Sequence, residues 1–319
     1  MPNSFILYLS LVVGILVSSA GAAEELSATA LLENLRRTML ERNFKATAHF
    51  FRDGTTTRMD YQHGIRAGKR FERMLDLDGH AHEVLRHDNI VTCWLPQTQR
   101  LVIDHRPSTQ SFLMTVPERL SAIQAYYRFQ AQPDPDQANW IIDIIPEDAY
   151  RYARKVWLTQ DTYLPLKIEV YNEHNRVIER VELDHLQPNP QHMPLQATPA
   201  QNAAGARHIH QDPPQPVSQA QFVLTQTLPG YQPILFTRMP LPESGDTVEH
   251  LLLSDGFSSL SVYREKHAGI KTGLTHSGSV NAYSKTLPDG SVVTVIGEVP
   301  AQAVRQLAED TQLAAPATP

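Results

Sequence analysis

Apolar and polar residues alternate over much of the first 190 positions, which is typical of half-buried β-strands. Alternation over 44–50 and 57–63, separated by Asp53-Gly54, predicts a β-hairpin. Further strands are predicted over 71–77, 81–86, 90–95, 100–104, 140–145, 154–159, 166–171 and 177–183. Most of the connections are short, and short connections join only antiparallel neighbours. The pattern therefore predicts one large antiparallel sheet, which tends to curl or close at this size.

Two segments of this region have helical spacing instead. Residues 29–42 have apolar side chains near helical spacing at Leu31, Leu32, Leu35, Met39 and Leu40. Residues 117–130 begin with Pro117, which suits a first helical turn. The predicted first domain is therefore a sheet that curls against two helices.

Residues 187–219 contain seven prolines and almost no periodic apolar pattern, which is typical of a linker. Strand patterns return from residue 220, with a strong turn signal at Pro288-Asp289-Gly290 and a short helix predicted over 301–308. The fold class is thus α+β, with a large first domain and a smaller second one.

The N-terminus has the features of an export signal. Residues 5–17 are apolar, and Ala20-x-Ala22 fits a signal-peptidase site, so residues 1–22 are predicted to be removed. The apolar run is shorter than the roughly 20 residues of a spanning helix. Cys93 is the single cysteine, so no internal disulfide forms, and its apolar strand predicts a packed thiol.

Composition and motifs exclude several classes of function. The chain has 28 Lys and Arg against 34 Asp and Glu, a formal charge of −6, which disfavours nucleic acid as a partner. No nucleophile elbow, zinc-protease motif or phosphate loop occurs, so we expect no enzyme activity and no cofactor. The His208-x-His210 pair lacks further ligands, so no metal site is predicted.

A curled sheet can hold an apolar ligand on its inner face. The side chains predicted to line such an interior are Phe50, Met59, Tyr61, Trp94, Leu101, Ile103 and Phe112. The alternative is that these residues simply pack against the helices, as ordinary core residues do.

Several separated motifs are similar to those of the RseB/MucB family. In the first domain they are Glu72-Arg73-x-x-x-Leu77-Asp78-Gly79, Glu83-Val84-Leu85-Arg86 and Val91-Thr92-Cys93. In the second they are His250-Leu251-x-x-Ser254-Asp255-Gly256-x-x-Ser259-x-Ser261-Val262, Gly278-x-Val280-Asn281-Ala282-Tyr283 and Gly297-Glu298-Val299-Pro300. They occur in the same order and cover nearly the whole mature chain.

The resemblance implies a LolA/LolB-like half-barrel over 23–186, a linker over 187–219, a C-terminal domain over 220–312 and a tail over 313–319. It implies a periplasmic regulator that binds an RseA/MucA-like anti-sigma factor and shields it from site-one proteolysis. It also implies release by a lipid, lipopolysaccharide or misassembled outer-membrane protein. A periplasmic lipid or lipoprotein carrier is the alternative function, and a homodimer is left open.

A polar, turn-rich motif in the second domain is the candidate partner surface, because core packing alone does not require it. Its residues are Ser254, Asp255, Gly256, Ser259, Asn281 and Tyr283. The competing interpretation is that Asp255-Gly256 is only a hairpin turn.

Overall fold

The structure is a computed structural model, and it describes residues 27–79, 82–105, 111–191, 207–210, 215–240, 247–266 and 271–315. The predicted export signal and its cleavage site lie outside these residues. Within the described ranges, no helix combines the length and the apolar character that a membrane crossing needs.

The first domain is built on a large, open antiparallel sheet. Its elements are α1 (Ala28–Glu41), β1 (Phe44–Arg52), β2 (Thr55–Arg66), β3 (Lys69–Asp76), β4 (Glu83–His87), β5 (Ile90–Leu95), β6 (Arg100–His105), β7 (Tyr127–Pro133), β8 (Asn139–Pro146), β9 (Ala153–Thr159), β10 (Pro165–Tyr171) and β11 (Val177–Pro188). With β12 (Arg207–His210), the strand order is β12-β6-β5-β4-β3-β2-β1-β11-β10-β9-β8-β7. The predicted antiparallel sheet is confirmed, and it agrees with the half-barrel that the resemblance implied.

Helix α1 packs against one face of this sheet. The Ser27 side chain accepts a hydrogen bond from the Ala30 amide at 3.2 Å, which caps the first turn. Leu31, Leu32 and Leu35 are fully or almost fully buried, and they join a core that includes strand residues from both halves of the sheet. The predicted helix over 29–42 is thereby confirmed, but Leu40 of its predicted apolar set is exposed in the last turn.

The second predicted helix, over 117–130, is wrong. Residues Leu120–Ile123 form only a short 3₁₀ helix, and Tyr127 already begins β7. Tyr127, Phe129 and Ala131 alternate toward one face and pair with β8, so tertiary pairing overrides the local helical spacing.

The proline-rich segment between the domains contributes strands to both sheets. β12 lies parallel to β6, with Arg207 opposite Arg100 and His210 opposite Ile103. β13 (Gln215–Pro216) pairs with β15 (Gln232–Pro240) in the second domain.

The second domain has its own sheet and core. Its elements are β13, β14 (Phe222–Leu224), β15 (Gln232–Pro240), β16 (Thr247–Ser254), β17 (Ser259–Glu265), β18 (Gly273–Ser277), β19 (Val280–Thr286), β20 (Val292–Gly297), α2 (Ala301–Glu309) and β21 (Thr311–Leu313). The sheet order is β13-β15-β16-β17-β20-β19-β18, and β14 pairs with β21. Val304 and Leu307 of α2 are fully buried in this core, and the short helix predicted over 301–308 is confirmed.

Candidate functional site

The turn between β16 and β17 is shaped by one carboxylate oxygen. Oδ1 of Asp255 accepts hydrogen bonds from the backbone amides of Phe257 at 2.9 Å and Ser258 at 2.8 Å. An aspartate that binds the backbone two and three residues ahead is a standard turn former. Gly256 has a φ of +97°, a conformation that a side chain would strain.

The other carboxylate oxygen reaches the first domain. Oδ2 of Asp255 accepts hydrogen bonds from the Tyr127 hydroxyl and from Arg151 Nε, each at 2.7 Å. Asp255 is 6% exposed and Arg151 is 3% exposed, so this ion pair is buried. Burial and the adjacent charge of Asp255 raise the pKa of Tyr127 well above its ordinary value. The phenol therefore stays protonated and remains a donor.

Aromatic packing surrounds this ion pair. The Arg151 guanidinium lies 4.6 Å from the ring centroid of Tyr231 and 5.0 Å from that of Tyr126. Phe257 is 7% exposed and packs into the core of the first domain, 6.0 Å from Phe129 between ring centroids. Contacts of this kind desolvate the ion pair, which strengthens its electrostatic attraction.

A second group of contacts joins the domains near the turn between β18 and β19. Asp53 Oδ2 accepts hydrogen bonds from the Gly278 amide at 2.8 Å and from the Ser277 hydroxyl at 3.2 Å. The Ser279 hydroxyl donates to Glu179 of β11. Asp53 lies in the turn of the β1–β2 hairpin, and Glu179 pairs with Arg52 at the start of that turn. The two sets of polar contacts are therefore adjacent on the first domain.

Asn281 provides a third link. Its side-chain amide donates to the Tyr152 hydroxyl at 2.9 Å and to the Val299 carbonyl at 2.8 Å. Asn281 is buried, so both hydrogen bonds are shielded from water.

The structure therefore divides the predicted partner residues. Asp255, Gly256 and Asn281 lie at the contact between the domains, whereas Tyr283 lies beside α2, with its hydroxyl 3.3 Å from Glu309 Oε1. Ser254 and Ser259 are half-buried and hydrogen-bond to each other at 3.2 Å. Their contact with another molecule stays a prediction.

The predicted apolar lining is divided between the two faces of the sheet. Phe50, Met59 and Tyr61 point to the face that α1 covers, and Phe112 packs against the same core. Through the register of β3, β4, β5 and β6, that face carries Cys93 and Val102. Trp94, Leu101 and Ile103 are next to Cys93 and Val102 along β5 and β6, so they point to the opposite face of the sheet. The seven side chains do not form one surface in this structure.

A buried polar cluster, missed by the sequence analysis, lies on the α1 face. Glu72 Oε1 accepts hydrogen bonds from the Tyr61 hydroxyl at 2.8 Å, the Ser111 hydroxyl at 2.6 Å and the Phe112 amide at 3.2 Å. His63 Nε2 donates to the Met39 carbonyl at the end of α1, at 2.8 Å. The cluster therefore connects the sheet, α1 and the segment after residue 110.

The charge of Glu72 is stabilised within this cluster. Burial alone would raise the pKa of Glu72, but hydrogen bonds from His63 and Ser111 and the charges of His63 and Arg86 lower it to about 2. The alternation of residues 59, 61 and 63 in β2 was the signal that could have placed His63 on the α1 face.

Metal ligation finds no support among the residues that the structure describes, since they contain no group of three or more His, Cys, Asp or Glu side chains suited to an ion. His208 and His210 belong to β12, and their side chains lie outside the part of the molecule that the structure describes. Cys93 is half-buried in β5.

Comparison with known proteins finds two family models that match successive parts of the chain. The MucB/RseB N-terminal domain matches residues 27–204, and the MucB/RseB C-terminal domain matches residues 216–312. The sigma-E factor regulatory protein RseB of Escherichia coli K12 is 23% identical over 315 residues, which cover 96% of this chain and 97% of that protein. The sigma factor AlgU regulatory protein MucB of Pseudomonas aeruginosa is 26% identical over 292 residues, covering 88% and 89%.

Solved structures show the same fold. MucB in complex with MucA(peri) aligns with a TM-score of 0.68 at 23% identity, covering 91% of this chain and 100% of that one. A crystal structure of MucB aligns with a TM-score of 0.65 at 22% identity, covering 90% and 98%. Since the two domain matches together span most of the sequence, the chain belongs to the MucB/RseB family.

Proposed function

We propose that this chain is an exported regulator that binds the periplasmic segment of a membrane anti-sigma factor and shields it from the first proteolytic cut. The observation that carries the proposal is the family match in both domains. It is supported by relatives named as sigma-factor regulatory proteins and by the shared fold with MucB, which was solved in complex with MucA. The apolar N-terminal run supports export to the periplasm.

Release by an envelope-stress ligand is the second part of the proposal. A ligand releases the partner only if it binds the free form more tightly than the partner-bound form. On the α1 face, Phe50, Met59 and Phe112 are only partly buried, so they are the predicted contacts for a lipid or lipopolysaccharide acyl chain. Tyr61 and Leu35 of the same core are almost fully buried, so a ligand that reached them would have to displace α1.

A dedicated lipid carrier is the weaker candidate, and no contact among the residues that the structure describes favours it. The second domain has a core of its own, formed by α2 and its seven-stranded sheet, which carriage of a lipid by the first domain does not require.

Tyr283 is the predicted partner residue that lies away from the domain contact. The Arg305 guanidinium lies 5.6 Å from the centroid of the Tyr283 ring, and Lys285 Nζ donates to the Glu309 carbonyl at 3.0 Å. An aromatic ring beside both signs of charge suits the polar rim of a protein interface. We include Tyr283 in the proposed partner surface on this ground.

A protease-protection assay tests the proposed function. The cognate anti-sigma periplasmic segment is incubated with the site-one protease, with and without the mature chain, and intact segment is followed over time. Cleavage should slow in proportion to the fraction bound, and Tyr283→Ala should protect less than wild type. Val223→Ala serves as the matched control, because Val223 is exposed on β14, outside the proposed surface. Equal cleavage with and without the wild-type chain would refute the proposal.

A further inference from the structure

The turn formed by residues 254–259 has two separate sets of contacts. Oδ1 of Asp255 holds the turn itself, through the Phe257 and Ser258 amides, and both donors belong to the second domain. Oδ2 binds Tyr127 and Arg151, which belong to the first domain. The shape of the turn therefore does not depend on the first domain, although the burial of its outer atoms does.

The first domain presents a matched socket for this turn. Arg151 and Tyr127 supply a cation and a hydroxyl donor, while Phe129 and Pro117 supply apolar surface beside them. Phe257 occupies the apolar part and belongs to the first-domain core rather than to its own. The turn thus contacts the first domain with a carboxylate oxygen and a phenyl ring, side by side.

Any other molecule that binds this turn must replace both kinds of contact. A buried carboxylate without a hydrogen-bonding partner is costly, as is a phenyl ring exposed to water. A partner therefore has to supply a basic side chain next to apolar or aromatic side chains. A peptide segment with Arg or Lys beside aliphatic residues has that chemistry.

We infer that the turn binds either the first-domain socket or the anti-sigma segment, and that the two forms of binding exclude each other. The structure shows the docked state, in which Asp255 and Phe257 are covered. In the undocked state the turn keeps its shape and presents the same atoms to a basic and apolar peptide segment. The affinity measured for that segment is then reduced in proportion to the small undocked fraction. This inference rests on the proposed function, because it assumes that the segment binds.

We call the reversible docking of the turn 254–259 into the first-domain socket the latch. Variants on the two sides of this contact distinguish the latch from a merely structural contact. Binding of a fluorescently labelled anti-sigma segment to the full mature chain is measured by anisotropy. Arg151→Met removes the cation from the socket, so it should favour undocking and tighten binding on the order of 5–10-fold. Asp255→Asn also weakens docking but removes the charge that the segment needs, so binding should weaken on the order of fivefold or more. A structural role alone would move both affinities in the same direction.

A reversible crosslink tests the same point without changing the ion pair. The side-chain oxygens of Asp53 and Ser277 are 3.2 Å apart and exposed, so Asp53→Cys with Ser277→Cys, in a Cys93→Ser background, should form a disulfide between the domains. The oxidised protein should lose most binding, and a reductant should restore it. The Cys93→Ser protein alone is the control, and its affinity for the segment should be the same under oxidising and reducing conditions.

The outcomes separate the latch from the proposed function. If the wild type binds but the oxidised crosslinked protein binds equally well, the latch is refuted and the proposed function stands. The latch is also refuted, again without harm to the proposed function, if Arg151→Met and Asp255→Asn change the affinity in the same direction. If the wild-type chain neither binds nor protects the segment, the proposed function fails and the latch fails with it.

Discussion

Phe257 of the second domain packs edge-on against Tyr127 of the first, with 5.3 Å between ring centroids and 72° between ring planes. This geometry is favourable for aromatic pairs and lies within a shared core. Phe257→Ala should therefore weaken the contact between the domains by about 3 kcal/mol, the usual cost of emptying a core aromatic site. Urea unfolding followed by fluorescence should show a broader or split transition compared with the wild type. Leu274→Ala, at an exposed edge position, should leave the curve unchanged.

Alanine variants at Gly256 and Gly54 distinguish the effect of a steric clash from the effect of backbone strain. A Cβ atom at Gly256 would lie 2.6 Å from Pro117 Cγ, whereas one at Gly54 would meet nothing within 4 Å. Both residues have positive φ angles, so both alanine variants carry a similar backbone strain of about 1 kcal/mol. Thermal unfolding should show that Gly256→Ala is clearly less stable than Gly54→Ala. Equal melting temperatures would mean that the close approach to Pro117 has no energetic effect.

Asn281 offers a graded test of the third link between the domains. Tyr152→Phe removes only the hydrogen bond to the Asn281 amide, so we expect a loss of about 1 kcal/mol of unfolding free energy. Asn281→Ala also leaves the Val299 carbonyl without this donor, so the loss should reach about 2 kcal/mol. Chemical denaturation measures both values. A larger loss for Tyr152→Phe than for Asn281→Ala would contradict the assigned hydrogen bonds.

Glu72 predicts how stability depends on acid. Its pKa falls from 4.5 to about 2 on folding, so the folded state favours the charged carboxylate. The stabilisation is fully present above pH 4.5 and is lost as the pH falls toward 2, and it corresponds to about 3 kcal/mol. Glu72→Gln should be less stable at pH 7, and its stability should change less as the pH is lowered from about 5 to about 2. Urea midpoints over this range provide the measurement, and parallel pH profiles for the two proteins would refute the assignment.

Local patterns are sufficient to predict most strands of the first sheet. They also predict two hairpin turns from their turn-forming residues. Asp53-Gly54 joins β1 to β2, and Pro288-Asp289-Gly290 joins β19 to β20. Such signals are reliable because they reflect the backbone preferences of the residues themselves. The segment 117–130 was predicted wrongly because its helical spacing competes with the pairing of β7 and β8, which the sequence alone does not reveal.

The candidate site was harder to predict, because burial depends on elements distant in the chain. Asp255-Gly256 was recognised as a turn, but nothing near it in sequence indicates that Tyr127 and Arg151, more than 100 residues earlier, cover it. Similarly, Trp94 and Tyr61 are both apolar strand residues. Only the register of the intervening strands shows that they face opposite sides of the sheet.

The short strand β12 sets how far the two domains can move apart. It belongs to the first sheet, and β13 of the second sheet begins at Gln215, five Cα steps after His210. Five extended residues reach at most about 18 Å. While β12 stays paired with β6, only this short connection separates the two sheets, even though the proline-rich region is more than 30 residues long. The second domain therefore stays close to the first. An undocked turn would therefore remain close to its socket, and redocking would be a fast, intramolecular event at high effective concentration.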